Sequence, residues 1–374
     1  MNSLNVVILF AHYSLYLCTQ ILSSNFDYNF DSLDINLMIG QSERGELFDL
    51  NTEVDFTWVS VSFYTSEKDD TITFVGNESL IIAEQNMKAQ HYQGNIQLEN
   101  TDVTLSDMHY YYIPEIIYDA FDSFPLAYQF KNEAFSFIHQ YYNKGIINER
   151  SFGFVFNPTY NGTFYIGGIP EEIKKSNPYS ISCKVNNRYS TWNCDLTEVR
   201  FNGDVYRNDM PAIFQTNINT IAAPKKFYTY LMTNENAFKK EFDNKICEYH
   251  EEDEDNNFEC LCSGLSKDIS LLLIIGGNKF HFNYTQLFHE SGKKCTFNIE
   301  INLKSINEWR LGYDFYKDYV SYFNYDKGEI TLFRDKPFTQ SNYLLGIIIF
   351  TIIVNILGLL NTAYYYIGYN KVYF

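Results

Sequence analysis

The sequence predicts a mainly β protein that ends in one transmembrane helix. Aromatic residues make up 18% of the 374 residues, with 32 Tyr and 32 Phe, and such side chains favour strands. The middle of the chain alternates short apolar segments with polar turns, whereas helical periodicity is scarce. A long uncharged apolar run near the C-terminus predicts the membrane helix.

The N-terminal segment predicts a secretory signal peptide over residues 1–24. Residues 4–22 are apolar and uncharged, and the small residues Ser23 and Ser24 follow. Because the usual basic start is missing, an uncleaved signal anchor is the alternative. Cleavage would remove Cys18 and leave six of the seven cysteines, an even number that suits a disulfide-forming compartment.

The strands expected in chain order are INLMIGQ (35–41), DFTWVSVSFY (55–64), SLIIAEQ (79–85), GNIQLEN (94–100), GFVFN (153–157), GTFYIGG (162–168), EVRFNG (198–203) and EITLF (329–333). Two segments have helical spacing, NEAFSFIHQYYNKGII (132–147) and APKKFYTYLMTNENAF (223–238). Each helix follows a similar β-rich block, which suggests a duplicated lobe.

The C-terminal apolar run predicts a transmembrane helix over residues 342–368 and a short cytosolic tail, 369–374. Residues 337–370 carry no charge, and a helix over 343–367 would be about 37 Å long, enough to cross a bilayer with some tilt. The alternatives are a buried core helix or a tail removed on attachment of a lipid anchor. The membrane interpretation makes this a single-pass protein of the secretory pathway, with its folded part lumenal or extracellular.

Surface chemistry supports the same topology. Three glycosylation sequons begin at Asn77, Asn161 and Asn283, all between the two hydrophobic ends. The 28 basic and 46 acidic residues give a net charge of −18, which argues against nucleic acid as a partner and is explained by solubility.

Five segments, in the same order, resemble parts of the pepsin-like aspartic peptidases. INLMIGQSERGELFDLNTEVDFTWVS (35–60) resembles the opening of that family's first lobe, and AIFQTNINTIAAPKKFYTYL (212–231) resembles the active loop of its second lobe. The other three segments are AFSFIHQYYNKGIINERSFGFVF (134–156), NGTFYIGGIPEEI (161–173) and WRLGYDFYKDYVSYFNYDKGEITLF (309–333). The resemblance covers roughly residues 33–335.

The resemblance implies a bilobal pepsin-like acid protease fold, with two β-barrel-like lobes facing each other across a peptide-binding cleft. We place the lobes at residues 25–178 and 179–341. In the family each lobe supplies one Asp-Thr-Gly loop, and the two carboxylates share a proton to activate water and the peptide carbonyl. The resemblance implies neither a cofactor nor a metal.

Both catalytic positions have changed. Counting back from Trp58 puts the first at Asn51, and counting back from Pro224 puts the second at Gln215. An amide has no proton to exchange near neutral pH, so neither residue can act as acid or base. Asp49 lies about 6.6 Å along the strand from Asn51, which is too far to take over its geometry.

The residues around these positions have also changed. The family's two loop glycines correspond to Glu53 and Asn217, while the threonines that lock the loops together across the lobes remain as Thr52 and Thr216. The family's hairpin tyrosine has no aligned counterpart, and Tyr92 is the nearest candidate for the cleft.

The cysteines suggest three disulfides. The resemblance pairs Cys262 with Cys295; Cys247 and Cys260 would then enclose an acidic run, and Cys183 and Cys194 flank a predicted hairpin. The alternatives are zinc bound by Cys247, Cys260, Cys262 and Cys295, and calcium bound by the acidic run, 251–255.

The function expected from the sequence is that of a membrane-anchored, catalytically inactive family member that binds an extended peptide or protein segment. One alternative is an active aspartic endopeptidase with displaced catalytic groups. Another is a structural or adhesion protein of a cell surface.

Overall fold

The computed structural model describes residues 21–29, 32–40, 46–55, 57–59, 71–82, 85–99, 101–113, 122–157, 161–206, 210–249, 258–302 and 308–337. The predicted membrane helix (342–368), the predicted tail (369–374), the acidic run (251–255) and most of the predicted signal peptide lie outside these ranges. Within them, no helix is long and apolar enough to cross a membrane. Membrane anchoring therefore stays a prediction.

Short strands dominate the first half of the chain. They are β1 (Leu22–Asn29), β2 (Ser32–Ile39), β3 (Glu46–Asn51), β4 (Trp58–Val59), β5 (Ile72–Ile82), β6 (Gln85–Leu98), β7 (Thr104–Tyr112), β8 (Asp122–Pro125), β9 (Ser151–Phe156) and β10 (Gly162–Ile166). Two short α-helices, α1 (Phe137–Asn143) and α2 (Glu171–Ser176), and a 3-10 turn at Glu133–Phe135 accompany them.

The second half repeats this composition. Its strands are β11 (Tyr179–Lys184), β12 (Asn193–Phe201), β13 (Asp204–Tyr206), β14 (Met210–Phe214), β15 (Ile221–Pro224), β16 (Cys247–Tyr249), β17 (Phe258–Leu261), β18 (Ser270–Ile275), β19 (Asn278–Asn283), β20 (Phe288–Ser291), β21 (Lys294–Phe297), β22 (Ile299–Asn302), β23 (Trp309–Leu311), β24 (Val320–Asn324) and β25 (Glu329–Arg334). Its helices are α3 (Lys225–Thr233), α4 (Lys239–Asp243), α5 (Tyr284–Leu287) and α6 (Tyr313–Tyr316), with a 3-10 turn at Cys262–Gly264.

The strands form three sheets, which confirms the mainly β prediction. The first has thirteen strands in the order β11-β25-β24-β9-β10-β1-β2-β3-β8-β4-β7-β6-β5. The second has eight, in the order β19-β18-β12-β14-β23-β15-β22 with β13 beside β12, and the third is β16-β17-β21-β20. Strands from both halves of the chain build the first sheet, so it joins the halves.

The same arrangement of three strands recurs in each half, and it positions the loops that follow β3 and β14. In the first half β8 lies between β3, to which it is parallel, and β4, to which it is antiparallel. In the second half β23 lies in the same way between β14 and β15. Parallel neighbours require a crossover connection, so the loops after β3 and β14 leave their sheets at equivalent points.

Aromatic side chains connect the two halves in the core. Trp192 is fully buried, donates its indole N–H to the carbonyl of Leu126 at 2.7 Å, and packs edge-on against Phe152. Phe152 also stacks on Phe323, with ring centroids 4.7 Å apart. Burying each such ring stabilises the fold by about 1.5–3 kcal/mol, so this cluster holds the halves together.

All three expected disulfides are present. Cys183–Cys194 joins β11 to β12, Cys247–Cys260 joins β16 to β17, and Cys262–Cys295 ties the 3-10 turn to β21, with Cα–Cα distances of 6.0, 4.0 and 5.2 Å. A sulfur held in a disulfide is no longer a thiolate that could bind zinc. This pairing therefore argues against the zinc alternative.

Two boundaries differ from their expected positions. The segment SLIIAEQ (79–85) is not one strand, because β5 ends at Ile82 and turns back so that Ile82 pairs with Gln85. The segment lacks the Gly or Asn that usually signals such a turn, so the apolar run hid it. In addition, the predicted signal peptide overlaps β1, where Leu22 is buried and pairs with Ile166.

Candidate functional site

Two loops meet at the centre of the molecule, residues 51–54 after β3 and residues 215–218 after β14. Their backbones are joined by Thr52 and Thr216, which we call the threonine lock. The backbone N–H of Thr52 donates to Oγ1 of Thr216 at 3.1 Å, and the N–H of Thr216 donates to Oγ1 of Thr52 at 3.2 Å. The pairing is reciprocal, so each hydroxyl serves the opposite loop.

Each hydroxyl of the threonine lock also donates a hydrogen bond. Oγ1 of Thr52 donates to the carbonyl of Phe214 at 3.1 Å, and Oγ1 of Thr216 donates to the carbonyl of Leu50. Thr52 is 1% exposed and Thr216 is fully buried. Water cannot replace these bonds, and each buried group left unpaired would cost about 1–3 kcal/mol.

The residues that follow β8 and β23 hold the two loops in place. In the first loop the carbonyl of Asn51 accepts from the N–H of Leu126 at 2.8 Å. In the second, the carbonyl of Ile218 accepts from the N–H of Tyr313 at 3.1 Å, directly beside Gly312. A Cβ on Gly312 would lie only 2.5 Å from that carbonyl oxygen, so the close approach requires glycine. Sequence reasoning missed this residue.

Asn51, which the sequence predicts at the first catalytic position, uses both ends of its amide within its own loop. Its Oδ1 accepts from the backbone N–H of Glu53 at 2.9 Å, and its Nδ2 donates to Oδ2 of Asp49 at 3.2 Å. The first bond is the local turn that asparagine side chains often form. Asn51 therefore shapes the loop, and its amide offers neither an acid nor a base.

Gln215, which the sequence predicts at the second catalytic position, is fully buried. Its backbone N–H donates to the carbonyl of Leu311 at 3.0 Å, and its carbonyl accepts from the hydroxyl of Tyr316. In the described part of the chain, neither atom of its side-chain amide has a hydrogen-bond partner. Burying an unpaired amide opposes folding, so the loop holds Gln215 through its backbone.

A second contact joins the loops at the positions where the resemblance places glycines. Nδ2 of Asn217 donates to Oε2 of Glu53 at 3.3 Å. Glu53 is exposed and Asn217 is half-buried. Two side chains thus meet where the family's pattern has none.

A pair of buried carboxylates, Asp34 and Asp49, lies beneath the first loop. They are cross-strand neighbours on β2 and β3, with only 2% and 8% of their surfaces exposed. Burial and, to a smaller extent, the nearby Asp34 carboxyl raise the pKa of Asp49 to about 7, against the opposing effect of the hydrogen bond from Asn51. Asp49 therefore exchanges its proton near neutral pH.

The rise along a strand separates Asp49 from Asn51, yet their side chains meet through a hydrogen bond that the sequence did not predict. Asp34 was not predicted either, because the alternation of SLDINLMI puts it on the strand face opposite Leu33 and Ile35, where an exposed polar residue is expected.

Tyr92 lies away from the turn of the β5–β6 hairpin. It pairs with Phe74 in the strand register, stacks on Tyr110 with centroids 5.9 Å apart, and donates to Oε1 of Gln90 at 2.8 Å. It is 7% exposed. These contacts give Tyr92 a packing role in the sheet.

The three sequons lie at the ends of strands or on an edge strand. Asn77 is exposed on β5, and Asn161 is half-buried just before β10. Asn283 is exposed and caps α5 through its Oδ1, so its Nδ2 is not used in the cap. Glycosylation stays a prediction at all three.

Comparison with known proteins places this architecture. Among solved structures, the chain is similar to the aspartic proteinase from Irpex lacteus, with a TM-score of 0.64 and 13% identity over 84% of this chain and 97% of that one. No curated protein matches the sequence. The structural likeness confirms the predicted pepsin-like fold.

A family-level match identifies the chain further. The family model described as eukaryotic aspartyl protease matches residues 62–334, a range that includes Gln215 and leaves out Asn51. Since the match covers well over half of the 374 residues, the protein belongs to the eukaryotic aspartyl protease family.

Proposed function

We propose that this protein is a catalytically inactive family member whose two lobes bind an extended peptide or protein segment. The observation that carries the proposal is the pair of amides, Asn51 and Gln215, on the two locked loops. The family's reaction needs two carboxylates that share one proton. Amides at both positions remove the acid and the base together.

The surroundings of both residues support this interpretation. Asn51 is held by Glu53 and Asp49, and Gln215 is fully buried, so neither side chain is presented to a substrate. Losing one member of a catalytic unit can reduce the rate by about 10⁴-fold or more. The threonine lock meanwhile keeps the loops in register, which supports a scaffold retained for binding.

A second candidate is an active endopeptidase that uses Asp49. The specific observation in its favour is a carboxyl with a pKa of about 7 whose Oδ2 lies 3.2 Å from Nδ2 of Asn51. Against it, Asp49 is 8% exposed. Gln215, its counterpart on the other loop, has no carboxyl partner in the described residues.

Proteolysis of denatured protein from pH 2 to 7 separates the two candidates. We expect the full chain to show no cleavage above that of a heat-inactivated sample. Cleavage that a statine-type inhibitor blocks would overturn the inactive assignment. If Asp49→Asn then abolished that cleavage, the second candidate would replace the first.

Peptide binding is tested with an immobilised library of extended decapeptides. We expect a subset to bind the full chain, and we expect Thr216→Ser to retain binding while Thr216→Ala weakens it. Thr229→Ala, at an exposed threonine of α3, is the matched control and should bind as the native chain does. The absence of any bound peptide would favour the structural or adhesion alternative.

We also propose that the protein is a single-pass membrane protein of the secretory pathway, with its folded part lumenal or extracellular. Three features support this placement: the uncharged stretch 337–370 with the predicted membrane helix, the three sequons and the oxidised cysteines. In cells, the full chain should resist alkaline carbonate extraction and shift in mass with glycosidase, whereas a chain ending at Pro337 should be secreted. Release of the full chain by carbonate would contradict anchoring.

A further inference from the structure

We propose that acidification opens the β5–β6 hairpin by placing a second proton on a histidine pair, His91 and His109, that can hold only one. This device lies outside the two loops and does not depend on the proposed function.

The histidine pair links three neighbouring strands. Nε2 of His91, on β6, lies 2.7 Å from Nδ1 of His109, on β7. Nδ1 of His91 lies 3.0 Å from Oε1 of Glu78, on β5. The hydroxyl of Tyr111, also on β7, donates to Oε2 of Glu78 at 2.7 Å. The side chains therefore form one continuous hydrogen-bonded chain across the hairpin and its neighbour.

The chemistry of each group decides which atom donates and which accepts in each contact. An ionised carboxylate can only accept, so Nδ1 of His91 carries the proton that faces Glu78. The other nitrogen of a neutral His91 then accepts, and Nδ1 of His109 must donate to it. Each of these side-chain contacts therefore has one donor and one acceptor when both rings are neutral.

Protons added on acidification have unequal effects. The first can enter at Nε2 of His109, which faces away from His91, without breaking a bond. A second would put an N–H on each side of the 2.7 Å contact and bring two positive rings together. The contact must then break, since both nitrogens would be donors. The two protons therefore add in coupled steps, the second at lower pH.

The packing around the rings resists charge as well. His91 is 8% exposed, and both rings contact Phe135, with centroid distances of 5.3 Å and 5.7 Å. Burial and the neighbouring His91 lower the pKa of His109, while Asp107 partly opposes them.

The other charged groups nearby do not neutralise a second proton. The charge of Asp55 helps to raise the pKa of the Tyr111 hydroxyl, and its carboxyl lies 3.9 Å from Nζ of Lys131. Glu133, on the same turn as Phe135, lies near His139 and Arg150 instead. Glu78 is thus the carboxylate in direct contact with the histidine pair, and Nδ1 of His91 already uses it.

Opening of the hairpin would reach the first loop. A cluster of Ala89, Tyr111, Ile113 and Phe135 packs against Leu80 and Met87 of the hairpin and against Val54 of the loop. Thr57, just beyond that loop, accepts from the N–H of Tyr111 at 2.9 Å and donates to the carbonyl of Phe135 at 3.1 Å. Loosening β6 and β7 therefore removes a wall against which the loop packs.

Hydrogen exchange of the full chain between pH 7 and pH 4.5 tests the proposal, with rates corrected for intrinsic pH dependence and referred to β18 and β19. We expect exchange in β5, β6 and β7 to rise at least about tenfold on acidification, the equivalent of one pKa unit. His109→Gln should keep the hairpin protected to within about twofold, because a neutral amide can still donate to His91. His289→Gln, at an exposed histidine of β20, should behave as the native chain.

Two outcomes would overturn the proposal: unchanged protection of the native hairpin at pH 4.5, or equal opening in His109→Gln. If that variant fails to fold, a nuclear magnetic resonance titration of the native imidazoles decides. Two coupled protonation steps, one well below the other, support the histidine pair. Two independent titrations near the ordinary pKa of about 6.5 sink it.

Discussion

The loop of Asn51 and the loop of Gln215 have the same backbone arrangement and different surroundings. Each follows a strand that is parallel to a crossing neighbour, and each gives one threonine to the lock. Under the first loop lies a buried carboxyl that hydrogen-bonds Asn51. Under the second, the amide of Gln215 is buried with no partner in the described residues. The two loops therefore share their backbone arrangement and differ in what surrounds their amides.

The largest loss of stability is expected from substitutions in the threonine lock, the part that the two loops share. Thr52→Ala and Thr216→Ala each remove two donated or accepted bonds and leave buried partners unpaired, so each should lower the free energy of unfolding by about 4 kcal/mol. The two substitutions remove different hydrogen bonds, so the double variant loses all four, and its loss should differ from the sum because the two residues are in direct contact. Denaturant unfolding measures all three.

Serine variants sharpen this test. Thr52→Ser and Thr216→Ser keep the hydroxyl and should recover most of the loss, whereas exposed Thr229→Ala should change stability by less than about 0.5 kcal/mol. Unequal losses at Thr52 and Thr216 would contradict the symmetry of the lock.

The second-largest expected effect is a change of stability with pH, which arises from Asp49 under the first loop. The folded-state pKa of Asp49 is raised to about 7 from 3.8, so the folded protein binds more protons than the unfolded chain between those values. The contribution of Asp49 to stability is therefore greatest below about pH 4 and is lost as pH rises to about 7. Asp49→Asn, which mimics the protonated acid, should add about 3 kcal/mol at pH 8 and almost nothing at pH 4.

The histidine pair should change stability with pH in the opposite direction. The pKa of His109 is lowered, so the unfolded chain takes up a proton first and stability falls as pH drops below about 6.5. In unfolding measured from pH 4 to pH 8, Asp49→Asn should remove only the loss of stability that accompanies rising pH, and His109→Gln only the loss that accompanies falling pH. A single variant that flattened both would show that the two clusters are one.

Some of this could be predicted from the sequence and some could not. Positions fixed by short motifs, such as Asn51 before Trp58 and Gln215 before Pro224, follow from counting along the chain. Contacts between distant segments do not, and Asp34 beside Asp49 or His91 beside His109 depend on strand register. The hairpin turn after Ile82 was missed because its residues lack a turn signature.

Substitutions of the two amides should have a smaller effect, and they should change the free energy of unfolding in opposite directions. Gln215→Met replaces a buried, unpaired amide with an apolar side chain of similar length and should raise the free energy of unfolding by about 1 kcal/mol. Asn51→Leu removes two side-chain bonds and should lower it by about 1 kcal/mol. Equal signs in denaturant unfolding would mean that the two loops hold their amides in the same way.

The smallest effect concerns activity, and it tests how far the loops have diverged. Asn51→Asp together with Gln215→Asp restores two carboxyls, yet cleavage of denatured protein should stay near background. Glu53 and Asn217 still meet between the loops, and Asp49 would place a third acid beside the first. Adding Glu53→Gly and Asn217→Gly removes that contact and should raise cleavage above the double variant, with Thr229→Ala in the same background as control. If the double variant alone cleaves as fast as the quadruple one, the side chains of Glu53 and Asn217 do not obstruct the site, and the proposed inactivity rests on the two amides alone.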